Sequence, residues 1–116
     1  GQIIIKGRMK RFAKVAGEMV SLDLPEKIAV AASPAHPHAA TARVEAGRGE
    51  IIVLFTEDQN LRRDQLVLAA RAMGAPEIAV PRKIVCLKQI PLLGNGKTDY
   101  VTLARMAEDG APKPAG

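Results

Sequence analysis

Tryptophan is missing from this 116-residue chain, tyrosine occurs once and phenylalanine twice. The aromatic platforms on which single-stranded nucleic acid stacks therefore have almost nothing to be built from. Cysteine is nearly missing too, and Cys86, being the one cysteine, has no partner for an internal disulfide. It sits in the apolar run Ile84-Val-Cys-Leu87, which predicts a buried structural thiol rather than a nucleophile, in a reducing compartment. Long apolar runs are lacking as well. The strongest, 51–55 and 84–87, are far too short to cross a bilayer, and the first residues do not read as a secretory leader, so the domain is expected to be soluble.

What is present is the composition of one small globular domain, 47% hydrophobic and 25% charged. Seventeen basic residues against twelve acidic ones give a formal charge of +5, which favours acidic partners through long-range attraction. Part of that charge clusters at Lys6, Arg8, Lys10, Arg11 and Lys14, either a solvated hairpin surface or a landing site for something acidic. No helix carries a continuous basic face, so nucleic acid is not the expected partner.

The segment Pro91-Leu-Leu-Gly-Asn-Gly-Lys97-Thr-Asp-Tyr100 isolates one lysine on a glycine-flanked loop. Gly94 and Gly96 allow backbone angles that other residues avoid, and Thr98 is placed to cap a helix beginning near Asp99. An ammonium at a loop tip beside a helix start suits a phosphate or carboxylate. A Gly-rich turn carrying a solvated lysine would look the same. Gly96-Lys97-Thr98 also copies the end of a P-loop, but Pro91 stands where that motif needs its opening glycine, and too little chain follows for a nucleotide-binding sheet.

Residues 2–6 and 11–20 read as a β-hairpin or two short strands, with Gly17 at a bend. Asp23 with Glu26 predicts a capped helix start that tolerates Pro25 and turns Leu24, Ile28 and Ala31 to one face. That helix stops before Ser33-Pro34. Pro34-Ala-His-Pro-His38 reads as a loop with solvated histidines, lacking the further ligands a metal site needs. Strands are predicted at 39–44 and 50–55 around a glycine-bearing connection, and they form the sheet centre. Asn60 is predicted to cap a helix whose stripe is Leu61, Leu66, Ala69 and Met73, stopped by Gly74 and Pro76. A third strand at 82–87, a last helix at 101–107 and a mobile tail at 110–116 complete the chain. The fold class is α+β: a small sheet of about three strands with flanking helices plus an N-terminal β-hairpin. The chain opens inside a strand signal without Met, as expected of a fragment of a longer protein.

Gly7-Arg-Met-Lys-Arg-Phe-Ala-Lys14, then Gly17-Glu-Met-Val-Ser21, then the Pro91 to Tyr100 segment resemble the C-terminal domain of adenylate-forming enzymes. That superfamily spans acyl-CoA synthetases, peptide-synthetase adenylation domains and luciferases. The strings Lys10-Arg-Phe-Ala-Lys-Val-Ala-Gly-Glu-Met-Val-Ser21, Leu54-Phe-Thr56, Ala79-Val-Pro-Arg82 and Leu87-Lys-Gln-Ile-Pro-Leu-Leu-Gly94 are similar to one branch. This is the bifunctional acyl-[acyl-carrier-protein] synthetase and 2-acylglycerophosphoethanolamine acyltransferase branch.

The resemblance implies a mobile lid domain over 1–109 that rotates about Lys10 against a large N-terminal adenylation domain. It implies that Lys97 contacts the carboxylate and α-phosphate while ATP and a fatty acid form an acyl adenylate. It places Lys14 and Gly17 on the acceptor side, along the pantetheine path, with Arg11 a possible contact to an acyl carrier protein. ATP and Mg2+ would be held mainly by the N-terminal domain, and the acceptor would be the phosphopantetheine of the carrier or coenzyme A. Membrane contact would come only through the full-length protein, at the cytoplasmic side of the bacterial inner membrane. The fragment alone is expected to be inactive. One departure is Ser21-Leu-Asp-Leu-Pro-Glu26, where many relatives carry Glu-Ile-Glu, so no role is transferred to that stretch.

Overall fold

The computed structural model describes residues 11–45, 47 and 49–108. The strand predicted at 2–6, the hinge position Lys10 and the tail at 110–116 lie outside the described residues. The elements run β1 (Phe12–Val15), β2 (Glu18–Ser21), α1 (Asp23–Ala32), β3 (His38–Glu45), β4 (Gly49–Thr56), α2 (Arg63–Met73), β5 (Lys83–Cys86) and α3 (Tyr100–Glu108). A 3-10 turn, Glu77–Ala79, leads into β5. The expected α+β architecture is the one observed.

Strand β4 is the centre of the molecule, antiparallel to β3 on one side and parallel to β5 on the other. Its apolar residues alternate between two cores. Ile51, Val53 and Phe55 pack with Ile90 and with Leu103 and Ala107 of α3. Ile52 and Leu54 pack with Ile28 and Ala29 of α1 and Leu66 and Ala70 of α2. A strand covered on both faces must be apolar throughout, which is why 51–55 shows no polar alternation. The parallel step from β4 to β5 needs a crossover, and α2 supplies it. The hairpin β1–β2 is a separate two-stranded sheet that inserts Ala13 and Val20 into the α1–α2 core.

The hairpin turns on two residues, since Val15 pairs with Glu18 and Ala16 and Gly17 lie between them at φ 54 and φ 82. Both angles are left-handed, the geometry that suits the twist of flanking strands. Glycine takes it freely, whereas alanine does so at a cost. Ala16→Asn is therefore expected to stabilise the domain by roughly 0.5–1 kcal/mol. A urea midpoint that fails to rise, at unchanged slope, would show that the turn stores no strain.

Several local expectations are corrected. Helix α1 has Leu22 at its N-cap without a side-chain cap, and the carboxylate of Glu26 turns away to other partners. Asn60 does not cap α2, which starts at Arg63; the Asn60 amide instead donates to Asp58 Oδ1 at 2.9 Å. Asp99, not Thr98, caps α3, accepting the Thr102 amide at 3.1 Å and its hydroxyl at 2.8 Å. Those two bonds, the hydroxyl's first, hold the Asp99 carboxyl below its ordinary range.

Ala31 and Met73 are exposed, because Pro25, Ile28 and Ala29 form the buried face of α1, and Leu66 and Ala70 that of α2. Cys86 is exposed rather than buried, since it ends β5, the outermost strand of the sheet among the described residues. What cover it has raises its thiol pKa, with the charge of Asp58 adding to the effect. His38 is not a solvated loop residue: it opens β3 half-buried, with Nε2 2.7 Å from the Ser33 carbonyl and Nδ1 buried without a partner.

Candidate functional site

Lys97 stands on a short, tightly bonded loop between β5 and α3. Leu92 and Thr98 form an antiparallel bridge at its base. Inside it the Leu93 amide donates to the Lys97 carbonyl at 2.7 Å, and the Gly96 amide to the Leu93 carbonyl at 2.9 Å. Asn95 Oδ1 accepts the Lys97 amide at 3.0 Å, and the Pro91 carbonyl accepts the Asp99 amide at 2.9 Å. The bend falls on Gly96 alone, at φ 87; Gly94 lies outside the left-handed region and has open space where a Cβ would go. Lys97 is exposed, and its ammonium forms no ion pair among the described residues. A fixed backbone with an uncommitted cation at its tip can meet a phosphate or carboxylate without first breaking an internal contact.

The loop hangs between two buried anchors. Ile90 precedes it and Leu103 follows it, and both belong to the core around Phe55. Ile90 is also tied through its amide to Glu57 Oε2 at 2.8 Å.

Lys14 and Gly17 lie on the hairpin. Lys14 is exposed on β1 opposite Met19, and its amide donates to Glu50 Oε1 at 2.6 Å. Gly17 lies at the exposed tip of the turn. Val15 and Ala16 of the same hairpin line a cleft of about 430 Å³ together with Ile78, Val80, Arg63 and Arg82.

Arg11 is committed inside the molecule. Its Nη2 donates to Asp23 Oδ1 at 3.0 Å and to Glu26 Oε1 at 3.1 Å, and Nη1 to the Ala40 carbonyl at 3.3 Å. The guanidinium also lies 4.3 Å from the centroid of the Tyr100 ring. The second oxygen of Glu26 accepts the Tyr100 hydroxyl at 2.7 Å and the Ala40 amide at 2.8 Å. Burial works against the charge of Arg11, but Glu26 and Asp23 outweigh it and the pKa is raised. Sequence reasoning missed this network because Glu26 was assigned to a helix cap; the lone tyrosine beside the lysine loop was the available signal.

Tyr100 is pushed up to about 12 from 10.0, first by burial and then by its hydrogen bond to the carboxylate of Glu26. Since it is the one tyrosine and no tryptophan is present, its phenolate absorbance can be followed without interference. Below pH 10 the folded and unfolded chains both keep the proton. Between 10 and 12 the unfolded chain loses it first, so this contribution to stability falls as pH rises through the folded value. The native absorbance step is expected near pH 12, moving back toward 10 in Glu26→Gln; a native step at the unfolded value would contradict the geometry.

A second polar cluster lies at the exit of α1. The Ser33 hydroxyl donates to Asp58 Oδ2 at 2.6 Å, with His36 Nδ1 3.2 Å away. These are the residue types of a hydrolase triad in the wrong arrangement, for the buried serine gives its proton to the carboxylate and not to the imidazole. The bond to Ser33, then the Asn60 amide, holds Asp58 below its usual range. Among the described residues no group of three or more His, Cys, Asp or Glu could hold a metal ion, and no helix is long and apolar enough to cross a membrane.

None of the protein-family models matches the chain. It is similar to the nonribosomal peptide synthetase criC of Aspergillus cristatus, 38% identical over 107 residues that cover 91% of this chain and 5% of that protein. It is also similar to the L-proline–[L-prolyl-carrier protein] ligase of Streptomyces coelicolor, 32% identical over 121 aligned positions that cover 99% of this chain and 21% of the ligase. Among solved structures, the Mycobacterium tuberculosis fatty acyl CoA synthetase superposes with a TM-score of 0.74 at 19% identity, over 90% of this chain and 21% of that one. That likeness speaks for the fold alone. The chain spans about a fifth or less of the length of these proteins.

Proposed function

The chain is a C-terminal domain of the adenylate-forming superfamily, and from that premise we propose that it is the mobile lid of an ATP-dependent ligase that forms an acyl adenylate and passes the acyl group to a carrier protein. The observation that carries this reading is the uncommitted ammonium of Lys97 on a loop whose backbone is already fixed. Charge builds on the phosphoryl oxygens during in-line displacement, and a preplaced cation stabilises it without reorganising. In this reading Lys97 serves adenylation, and Lys10 is the hinge about which the lid turns toward a large N-terminal domain. Lys14 and Gly17 then face the incoming pantetheine. Because Arg11 is held by Asp23 and Glu26, the approach of an acidic carrier rests mainly on Lys14.

ATP with Mg2+ supplies the activated phosphoryl group, held mainly by the N-terminal domain. The finer reading is a fatty acid as the acyl donor, with the product feeding lysophospholipid (2-acylglycerophosphoethanolamine) reacylation at the cytoplasmic face of the bacterial inner membrane. The strings between Lys10 and Gly94 named above support it. The carrier-protein ligase of Streptomyces coelicolor supports a carrier as acceptor. Coenzyme A, the other acceptor that the sequence resemblance implies, is the competing reading.

The test is made on the intact protein that contains this domain. Pyrophosphate exchange is expected to depend on added fatty acid, and thioester to form faster on holo carrier protein than on coenzyme A. Faster turnover with coenzyme A would reassign the acceptor. Exchange driven by amino acids and not by fatty acids would overturn the acyl class.

A further inference from the structure

Two segments far apart in sequence meet at one carboxylate. Arg11, next to Lys10, leads into β1, while Tyr100, three residues after Lys97, opens α3. Glu26 joins them with both oxygens: Oε1 takes Arg11 at 3.1 Å and Oε2 takes the Tyr100 hydroxyl at 2.7 Å. The guanidinium closes the triangle by lying over the phenol ring, 4.3 Å from its centroid. Ala40 of β3 is bonded from both sides, its carbonyl by Arg11 and its amide by Glu26, which pins the triangle to the sheet.

We infer that Arg11, Glu26 and Tyr100 are positioning residues that fix the lysine loop to the strand entered from residue 10, so that the two move as one body. The geometry is specific to these groups. The Arg11 side chain keeps 26% of its exposure and that of Glu26 18%, so the ion pair is sheltered enough to hold direction as well as charge. The ring packs against the same core as Leu103 and the hydroxyl reaches Glu26, so the first turn of α3 is held at two points. The loop ends one residue before that turn, since the Pro91 carbonyl takes the Asp99 amide. A rotation begun near residue 10 would then reach Lys97 through a chain of direct contacts and not through a free linker. The coupling itself rests on the contacts; its use in catalysis rests on the ligase reading.

Tyr100→Phe removes the hydroxyl and keeps the ring, and Glu26 Oε2 retains the Ala40 amide, so folding should survive. In the 116-residue chain, amide hydrogen exchange at Leu93, Gly96 and Asp99 is expected to quicken by about tenfold, the effect of one lost hydrogen bond. Arg11→Lys should quicken the same amides, and the double variant should add less than the sum of the two. Unchanged exchange at these three amides, or strictly additive effects, would overturn the coupling.

In the intact protein, Tyr100→Phe should lower kcat for adenylation with little change in KM, and leave thioester formation from supplied adenylate unaltered. A rise in KM alone would assign Tyr100 to substrate binding and refute the positioning role. Coupled exchange in the chain, with adenylation insensitive to Lys97, would retain the coupling and sink the ligase reading.

Discussion

Lys97→Ala is expected to slow acid-dependent pyrophosphate release by the intact protein by about 10²–10³-fold, the usual effect of removing one preorganised charge stabiliser. Thioester formation from supplied acyl adenylate should be largely retained. The asymmetry follows from the loop. Its turns are closed by backbone bonds that do not use the lysine side chain, so truncation leaves the scaffold in place. Only the ammonium is lost, and it has no internal partner among the described residues. Lys97→Arg should recover part of the rate, because the charge returns on a planar head of different reach. Equal loss of both half-reactions, measured by pyrophosphate release and by acyl transfer from the adenylate, would remove Lys97 from the adenylation step.

The sheet centre and the lysine loop were legible in the sequence for the same reason: each is specified by a local run. An apolar stretch bounded by turn signals can be little else than a covered strand, and Gly-Asn-Gly-Lys can be little else than a tight turn. Caps were less legible. Asn60 and Thr98 are good capping residues by type, yet Asp58 and Asp99 hold the turns, because a carboxylate accepts two bonds at once: Asp58 those of the Asn60 amide and the Ser33 hydroxyl, Asp99 those of the Thr102 amide and hydroxyl. Edge positions misled for a different reason: Cys86 and Met73 have apolar neighbours in sequence, but among the described residues no strand lies beyond β5, and α2 turns Leu66 and Ala70 inward. The Arg11–Glu26–Tyr100 triangle was out of reach, since it joins residues separated by 15 and by 74 positions. Nothing periodic marks such a contact.

That long-range wiring makes the core beneath the loop as consequential as the lysine. Phe55→Ala is expected to cost about 3–5 kcal/mol, the range for truncating a fully buried aromatic. Phe55 is completely buried on β4, and it shares its core with Ile90, which enters the loop, and with Leu103 and Ala107, which hold α3. A void there undermines both ends of the loop at once. A domain of this length has a total stability on the order of 6–17 kcal/mol, so the variant should remain mostly folded or become marginal. Its urea midpoint should fall steeply, and the Leu93 and Asp99 amides should lose protection before those of β4 itself. Phe55→Leu, which refills most of the volume, should recover more than half of the loss. If loop protection instead follows global unfolding in step with β4, then Ile90 and Leu103 do not suspend the loop independently of the sheet. The position of Lys97 would then rest on the Glu26 triangle and on the loop's own hydrogen bonds.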